Sequence, residues 1–307
     1  MIENMMRAQA KGYHPDLAAA LDLLVAAGGK RIRPALTLLT GNMLGADHER
    51  LMTIAAAIEL LHTATLVHDD LIDNALLRRG HPTLNARWSP GATVLTGDFL
   101  FAAAAKLAAQ VQSNTVMQLF AQTLTVIVNG EVTQMFASRC DASRESYYQR
   151  IYAKTASLFE TSVATAALIS PVDTHTVEKL RQYGHEIGLA FQIVDDILDF
   201  TGEQATIGKP VGSDLHQGLI TLPAIYYIEQ HRQDPLVQNI LQGNCPTDQD
   251  KVSQLINEIR ASDSILLAME QARQHVNRGL DALRHAPISP ERTSLEDLAN
   301  YITQRDL

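Results

Sequence analysis

The sequence has few of the residues that mark secreted, nucleic-acid-binding or multidomain proteins. Cysteine occurs twice in 307 residues, and neither Cys140 nor Cys245 has the spacing of a metal-binding or redox motif. Two thiols do not make a disulfide framework, so we expect a reducing, cytoplasmic setting. The formal net charge of -9 argues against nucleic acid as a main partner.

Uninterrupted hydrophobic runs are also short. The run FLFAAAAKLAAQV is broken by Lys106, and the opening residues, MIENMMRAQAKGYHPD, lack the apolar core of a signal peptide. We count no run that reaches the roughly 20 residues a membrane-spanning helix requires. The sequence therefore predicts no integral membrane segment.

Linkers rich in proline, glycine and serine are missing, and so is sustained strand alternation. Hydrophobic residues make up 46% of the chain, which is ample for a large core. They recur at three- and four-residue steps, the period of helices. We predict one all-α domain over residues 1–307. Its longest helices are predicted at about 47–74, 94–111, 115–136 and 147–170, and in a segment that starts near Val177 and is capped at Asp173 or Thr174.

Two clusters of carboxylates stand at the ends of predicted helices. In the first, Asp69 and Asp73 share one helix face with Asp70 beside them. Their mutual repulsion and the helix dipole both oppose folding unless a cation binds, and Mg2+ with phosphate oxygens suits carboxylates best. A single acidic cluster is more often a solvated face. The pattern recurs, however, at Asp195, Asp196 and Asp199.

This recurrence favours two acidic walls that face a common cavity and a substrate with several phosphate groups. Basic residues support that hypothesis. Lys30, Arg31 and Arg33 lie at the start of a helix, where an anion would satisfy both the cations and the free N–H groups. Arg78 and Arg79 follow the first acidic cluster, and guanidinium groups bind phosphate bidentately.

Six motifs in this chain resemble those of the trans-prenyl diphosphate synthases, or polyprenyl synthetases. They are GGKRIRP, HDDLID followed by LRRGHPT, GDFL, KTASLF, FQIVDDILDF and GKPVGSDLHQG, in the family's order. The resemblance covers about residues 28–226. It implies the isoprenoid synthase fold, a single-domain bundle of antiparallel helices around a central cavity. It also implies condensation of isopentenyl diphosphate with an allylic diphosphate, with Mg2+ as cofactor and a homodimer as the usual assembly.

The resemblance also implies roles for individual residues. The catalytic set would be Asp69, Asp70, Asp73, Lys154, Gln192, Asp195 and Asp196. The metal ligands would be Asp69, Asp73, Asp195 and Asp199. The allylic diphosphate would be bound by Arg78, Lys154 and Lys209. Isopentenyl diphosphate would be bound by Lys30, Arg33, His62 and Arg79. Thr155 and Gln192 would line the region where the allylic cation forms.

On residue type alone, two of these roles have plainer alternatives. A lysine such as Lys154 on an apolar face more often lets its stem cover apolar surface, and a helical histidine such as His62 is more often a core residue with its hydrogen bonds satisfied. The resemblance favours phosphate binding for both residues.

Product length depends on side chains that precede the first aspartate. In the family, a bulky aromatic residue four or five positions earlier stops chain growth. Here those positions hold Thr65 and Ala64, which predicts a product longer than farnesyl, with a long chain favoured over geranylgeranyl. Leu61 is a candidate for a deeper floor.

Three rival functions are less consistent with the motifs. Terpene cyclases generally lack the second aspartate-rich motif and the GGKRxRP turn. A non-catalytic subunit of a heteromeric synthase typically loses aspartates, whereas this chain keeps all six. A generic metal-binding bundle would leave the basic turn unexplained. We expect a cytoplasmic homodimeric enzyme that contacts membranes only peripherally, for product release.

Overall fold

The computed structural model describes residues 1–202, 211–246 and 248–304. Over these ranges the chain is helical apart from one short hairpin, which confirms the all-α prediction. The first helices are α1 (Ile2–Ala8), α2 (Pro15–Ala26), α3 (Ile32–Met43), α4 (His48–Ile72), α5 (Pro90–Gln110) and α6 (Asn114–Phe136). The hairpin strands are β1 (Leu77–Arg78) and β2 (His81–Pro82).

The second half continues with α7 (Arg144–Ile151), a π-helical segment (Tyr152–Ala156), α8 (Ser157–Leu168) and α9 (Thr174–Thr201). Shorter helices follow at Ser213–His216, Leu222–Gln230, Pro235–Leu241, Gln249–Ala261, Ser264–Leu283 and Pro290–Gln304.

Contacts between Cα atoms divide the chain into two compact units. The first comprises Met1–Thr123, Thr161–Arg181 and His285–Leu295. The second comprises Leu124–Glu160, Gln182–Arg284 and Glu296–Leu307. A single domain over residues 1–307 stays a prediction, and each unit is described by itself below.

Helix α4 is the core of the first unit. Every residue from Leu51 to Leu61 is buried, as expected for a helix that is apolar on all sides. It packs against α3 and α5. Asp47 caps its start by accepting the backbone N–H of Arg50 at 2.9 Å. The end at Ile72 lies within two residues of the predicted end, so the sequence located the first acidic cluster correctly.

Two described helices, α4 and α5, are long and apolar enough to span a membrane by length and composition. Each has a mean hydropathy of 1.4 over its most apolar window, of which 78% is buried in α4 and 44% in α5. Core helices of soluble proteins meet the same criteria, so this is weak evidence for a span. The expectation of no integral membrane segment stays a prediction.

In the second unit, α9 packs closely on the π-helical segment. A Cβ atom on Gly188 would lie 2.6 Å from the Cα atom of Ala156, so only glycine permits this approach. The continuous helix predicted for residues 147–170 is wrong at this point, because the π-helical turn interrupts it. Such turns are frequent at functional sites, and this one carries Lys154 and Thr155.

The expectation that the two cysteines stay reduced is also wrong. The cytoplasmic location loses that support and stays a prediction. Cys140 and Cys245 form a disulfide within the second unit, with Cα atoms 5.5 Å apart, a normal separation for a disulfide. The backbone N–H of Cys140 also donates to the carbonyl of Gly218 at 2.9 Å. The bond joins positions 105 residues apart, which no local spacing pattern could reveal.

Candidate active site

A pocket in the first unit brings together residues of two motifs, GGKRIRP and HDDLID followed by LRRGHPT. It encloses about 600 Å³ of empty space, part of it open to solvent. Its charged and polar lining comes from the turn before α3, from α4 and from the hairpin: Arg31, Glu59, His62, Asp70, Arg78, Arg79 and His81. Four residues with predicted roles, His62, Asp70, Arg78 and Arg79, therefore lie on one pocket.

The cations of the basic turn do not all face the pocket in the same way. Arg31 donates to Glu59 at 2.6 Å, to Glu3 at 3.0 Å and to the carbonyl of Val25 at 3.1 Å. Burial opposes its charge, but these two glutamates raise the pKa of Arg31 above its ordinary value. Arg31 is thus a structural cation. The expectation that an anion satisfies all three cations of the basic turn is wrong for Arg31, to which the resemblance had assigned no ligand role.

Arg33 contacts the predicted phosphate ligand His62. Its Nη1 atom lies 3.1 Å from Nε2 of His62. Burial, followed by the charges of Arg33 and Arg79, holds the pKa of His62 well below its ordinary value. Because a guanidinium only donates, Nε2 must accept and the proton must sit on Nδ1. The neutral ring can then donate to an anion.

The hairpin gives the two adjacent arginines different partners. Arg79 and Gly80 both have positive φ angles, 53° and 76°, the pattern of a type I′ turn. Arg78 donates from Nε to Oδ1 of Asp70 at 2.7 Å, while Nη1 of Arg79 donates to the carbonyl of Gly28. Sequence reasoning missed this hairpin because its strands are only two residues long.

Arg79 also lies over Gly29. A Cβ atom there would be 2.6 Å from Nη1 of Arg79, and the φ angle of 158° is itself unfavourable for other residues. A side chain at the second glycine of the GGKRIRP motif would therefore displace the end of Arg79. Burial and the charges of Arg78 and Arg31 lower the pKa of Arg79 from its ordinary value.

The three aspartates at the end of α4 have different surroundings. Asp70 is buried and paired with Arg78, Asp69 is half-buried, and Asp73 is exposed at the helix C-cap. The face that carries Asp69 also carries Thr65 and Leu61, at successive four-residue steps. Thr65 is half-buried and Leu61 is fully buried.

Ala64 lies on a neighbouring strip of α4, four residues before His68. The ring of His68 stacks on Phe101 with centroids 5.0 Å apart, and it fills the space beside Gly97 of α5. Ala64 itself is fully buried. Of the predicted chain-length residues, Thr65 is therefore the accessible one, with Leu61 a turn further from Asp69.

In the second unit, the middle aspartate of the other cluster is also turned inward. Asp196 is buried and accepts from the Tyr147 hydroxyl at 2.7 Å and from the Gln192 amide at 2.8 Å. The amide oxygen of Gln192 in turn accepts from Thr155 at 2.5 Å. Burial, and then the nearby Asp214, raises the pKa of Asp196 to about 7, while both hydrogen bonds oppose that shift.

The last aspartate of this cluster binds the backbone that follows it. Asp199 accepts the N–H groups of Ser213 and Asp214, each at 3.2 Å, through its two carboxylate oxygens. Its own carbonyl accepts the N–H of Gly212 at 2.8 Å. Asp195 is half-buried. The end of α9 is thus tied to the segment beginning at Gly212.

Two relevant residues were missed from the sequence. Glu131 pairs with Lys154, with Nζ 3.5 Å from Oε1, and Tyr147 binds Asp196. The sequence signal for Glu131 is the glycine before it, because a Cβ atom on Gly130 would lie 2.4 Å from the Cβ atom of Ala153. The predicted ligand Lys209 lies outside the described residues.

Across residues 1–202, 211–246 and 248–304, no three His, Cys, Asp or Glu side chains are grouped so that they could hold a metal ion on their own. Each aspartate cluster has its middle carboxylate engaged by protein donors. The fold and the pocket of the first unit define a helical enzyme with a site suited to diphosphate esters.

The chain belongs to the polyprenyl synthetase family, whose sequence model matches residues 14–259. It is 39% identical to heptaprenyl diphosphate synthase component 2 of Geobacillus stearothermophilus over 99% of this chain and 94% of that one. The protein is therefore a prenyltransferase, as the sequence predicted.

Solved structures agree with this assignment. Heptaprenyl diphosphate synthase from Staphylococcus aureus matches with a TM-score of 0.92 and 33% identity, covering 100% of this chain and 96% of that one. Polyprenyl synthase from Caulobacter crescentus CB15, complexed with calcium and isoprenyl diphosphate, matches with a TM-score of 0.89 and 33% identity over 99% and 93% of the two chains. The isoprenoid synthase fold is thus confirmed.

Proposed function

We propose that this prenyltransferase condenses isopentenyl diphosphate with an allylic diphosphate, using Mg2+, and releases a long-chain polyprenyl diphosphate. The observation that carries the proposal is the pocket of the first unit, where His62, Arg78 and Arg79 lie on one cavity with Asp70 of the acidic cluster. Its cations and neutral histidine suit a diphosphate group.

The carboxylates fit magnesium that arrives with its substrate. Mg2+ is usually held by one or two carboxylates plus substrate phosphates, so a cage of three protein ligands is not needed. Asp69, Asp73, Asp195 and Asp199 are the proposed ligands. When bound, the metal would offset negative charge on the leaving diphosphate. The calcium and isoprenyl diphosphate in the Caulobacter structure support this assignment by likeness.

The chain's own residues then perform two tasks. Arg78, Lys154 and Lys209 bind the allylic diphosphate, so that the carbon–oxygen bond breaks with the charge of the leaving group compensated. Lys30, Arg33, His62 and Arg79 hold isopentenyl diphosphate with its double bond near the new cation. The double bond of isopentenyl diphosphate is the nucleophile, and the departing diphosphate accepts the final proton, so no protein nucleophile or base is needed. Thr155 and Gln192 line the region where the allylic cation forms.

Product length is proposed to be set along the Asp69 face of α4. Thr65 is small and accessible, so a growing chain passes it and first meets Leu61 one turn further on. Both heptaprenyl relatives support a long product. Replacing Thr65 with Phe should shift the product towards farnesyl diphosphate, and sizing the products made from labelled isopentenyl diphosphate tests this. A wild-type enzyme that accumulates only farnesyl diphosphate would contradict the proposal.

A homodimer is proposed because apolar side chains are exposed on two helices. Leu95 of α5 is 68% exposed, and Met135 and Phe136 of α6 are 61% and 84% exposed. A cytoplasmic location with peripheral membrane contact suits soluble substrates and an apolar product. The alternative is a heteromeric synthase, because the relative from Geobacillus is named component 2. Activity of the purified chain alone supports the homodimer, and activity that requires a second protein supports the alternative.

A further inference from the structure

A chain of three hydrogen bonds in the second unit, one buried and two part-buried, joins α7, the π-helical segment and α9. It runs from the Tyr147 hydroxyl to Asp196, from the Gln192 amide to Asp196, and from the Thr155 hydroxyl to Gln192. Its first residue, Tyr147, is 1% exposed and carries no role in the function proposed above. The geometry allows this role to be derived.

The direction of each hydrogen bond is fixed by the chemistry of the partners. The two Asp196 oxygens accept from different donors, so the NH2 group of Gln192, and not its oxygen, must face Asp196. The oxygen of Gln192 is then left to accept the Thr155 proton. With that proton committed, Thr155 presents oxygen lone pairs to its remaining surroundings.

Two neutral donors hold Asp196 in place. Tyrosine and glutamine donate hydrogen bonds but bring no positive charge, in contrast to the Arg78 guanidinium on Asp70. Hydrogen bonds in a chain polarise one another, so the acceptor Asp196 makes the oxygens of Gln192 and Thr155 more electron-rich. Electron-rich oxygens are what a developing allylic cation requires.

We propose that Tyr147 is a positioning residue for the ionisation step: by holding Asp196, it fixes Gln192 and Thr155 with their oxygen lone pairs towards the allylic cation. This inference rests on the proposed function in one respect, the assignment of Thr155 and Gln192 to the cation region. Tyr147 itself contacts neither substrate.

The first test is Tyr147→Phe, which removes only the hydroxyl. The turnover number kcat should fall about tenfold, the effect of losing one hydrogen bond to a charged group. KM for both substrates should stay within twofold. The matched control is Tyr148→Phe, on the same helix, which should keep wild-type kcat. A Tyr147→Phe variant with unchanged kcat, or with raised KM alone, overturns the proposal.

Two further measurements separate positioning from a general structural effect. Calorimetric binding of a non-ionising thiolo analogue of the allylic diphosphate with Mg2+ should be unchanged in Tyr147→Phe. Replacement of Tyr147 by 3-fluorotyrosine, which keeps the hydroxyl and the ring, should restore kcat. Weaker analogue binding in Tyr147→Phe, or no recovery of kcat with 3-fluorotyrosine, contradicts a role specific to ionisation. If the Phe variant folds poorly, the 3-fluorotyrosine result alone decides.

A double-mutant cycle with Thr155→Val separates failure of this inference from failure of the proposed function. If Tyr147 acts through Thr155, the double variant should lose little more kcat than Thr155→Val alone. If instead the kcat losses of the two single variants multiply in the double variant, the role of Tyr147 is overturned and the proposed function stays intact. Wild-type kcat in Thr155→Val would instead refute the assignment of Thr155 to the cation region.

Discussion

The two aspartate-rich helix ends share a sequence pattern and differ in what surrounds them. At the end of α4 the middle carboxylate, Asp70, is paired with Arg78, and other cations lie on the same pocket. At the end of α9 the equivalent carboxylate, Asp196, is bound by the neutral donors Tyr147 and Gln192. The cations of the first region can hold an anion by charge. In the second region, neutral hydrogen bonds fix the orientation of hydroxyl and amide groups.

This difference teaches that a repeated motif need not have a repeated role. In both motifs the middle aspartate faces inward and is a support, while the outer aspartates remain as candidates for metal. In the proposed function, the support at α4 would fix a cation for diphosphate. The support at α9 would fix hydroxyl and amide groups for the carbocation that diphosphate leaves behind.

The outer aspartates give the largest expected effect. Asp69→Asn and Asp195→Asn should each lower the condensation rate about 10³-fold, because both remove charge from metal binding in the transition state. Initial rates with saturating Mg2+ measure this, with circular dichroism as the check on folding. A large loss in only one variant would contradict the proposal that the outer aspartates of both helix ends bind metal.

The disulfide should affect stability in the second unit only. Cys140→Ser should lower the free energy of unfolding under oxidising conditions by about 3 kcal/mol, because the bond closes a long loop. Denaturant titration with and without reductant measures it, and the wild type after reduction is the matched control. Isopentenyl diphosphate should still bind normally to the pocket of the first unit. A reductant-insensitive wild type would contradict the assigned bond.

The pocket of the first unit should be sensitive to acid through His62. Its pKa is lowered in the folded protein, so below pH 6.5 the unfolded chain takes up a proton that the folded chain does not. The contribution of neutral His62 to the free energy of unfolding is therefore complete above pH 6.5. It falls as the pH drops below that value, by up to about 1.4 kcal/mol per pH unit. His62→Gln should remove this slope in denaturant titrations. Parallel slopes for both proteins would show that His62 is not the cause.

Gly29→Ala should give the smallest effect and confine it to one substrate. The added Cβ displaces Arg79, so KM for isopentenyl diphosphate should rise about tenfold, or 1.4 kcal/mol. KM for the allylic substrate should stay constant. Gly91→Ala is the control, because a Cβ there meets no atom within 4 Å. Equal increases in both KM values would show a general distortion instead of a displaced arginine.

Periodic features were predictable from the sequence, and contacts between distant residues were not. Helix α4 was placed within two residues at each end because it is long and regular, and because Asp47 caps its start. The role of Arg31 was not predictable, since Glu3 and Glu59, which neutralise it, are each 28 residues away. Helix boundaries follow from residues close together in the sequence, whereas the partners of Arg31 are decided by tertiary packing.

The same division holds at the candidate site. The motifs identified the six aspartates and the basic turn, but they did not show which carboxylates face inward. Tyr147 escaped notice because its partner Asp196 is 49 residues away, and its own neighbours form no motif. The π-helical turn was missed for a related reason, because close packing against Gly188 is not visible in the local pattern.

A crystal structure of the chain with Mg2+ and a thiolo analogue of the allylic diphosphate tests the central claim most directly. The account predicts metal ions bound to Asp69, Asp73 and Asp195 and to one shared diphosphate, with Asp70 still on Arg78 and Asp196 still on Tyr147. Metal ions on a single cluster, or a diphosphate bound without Asp195, would contradict it.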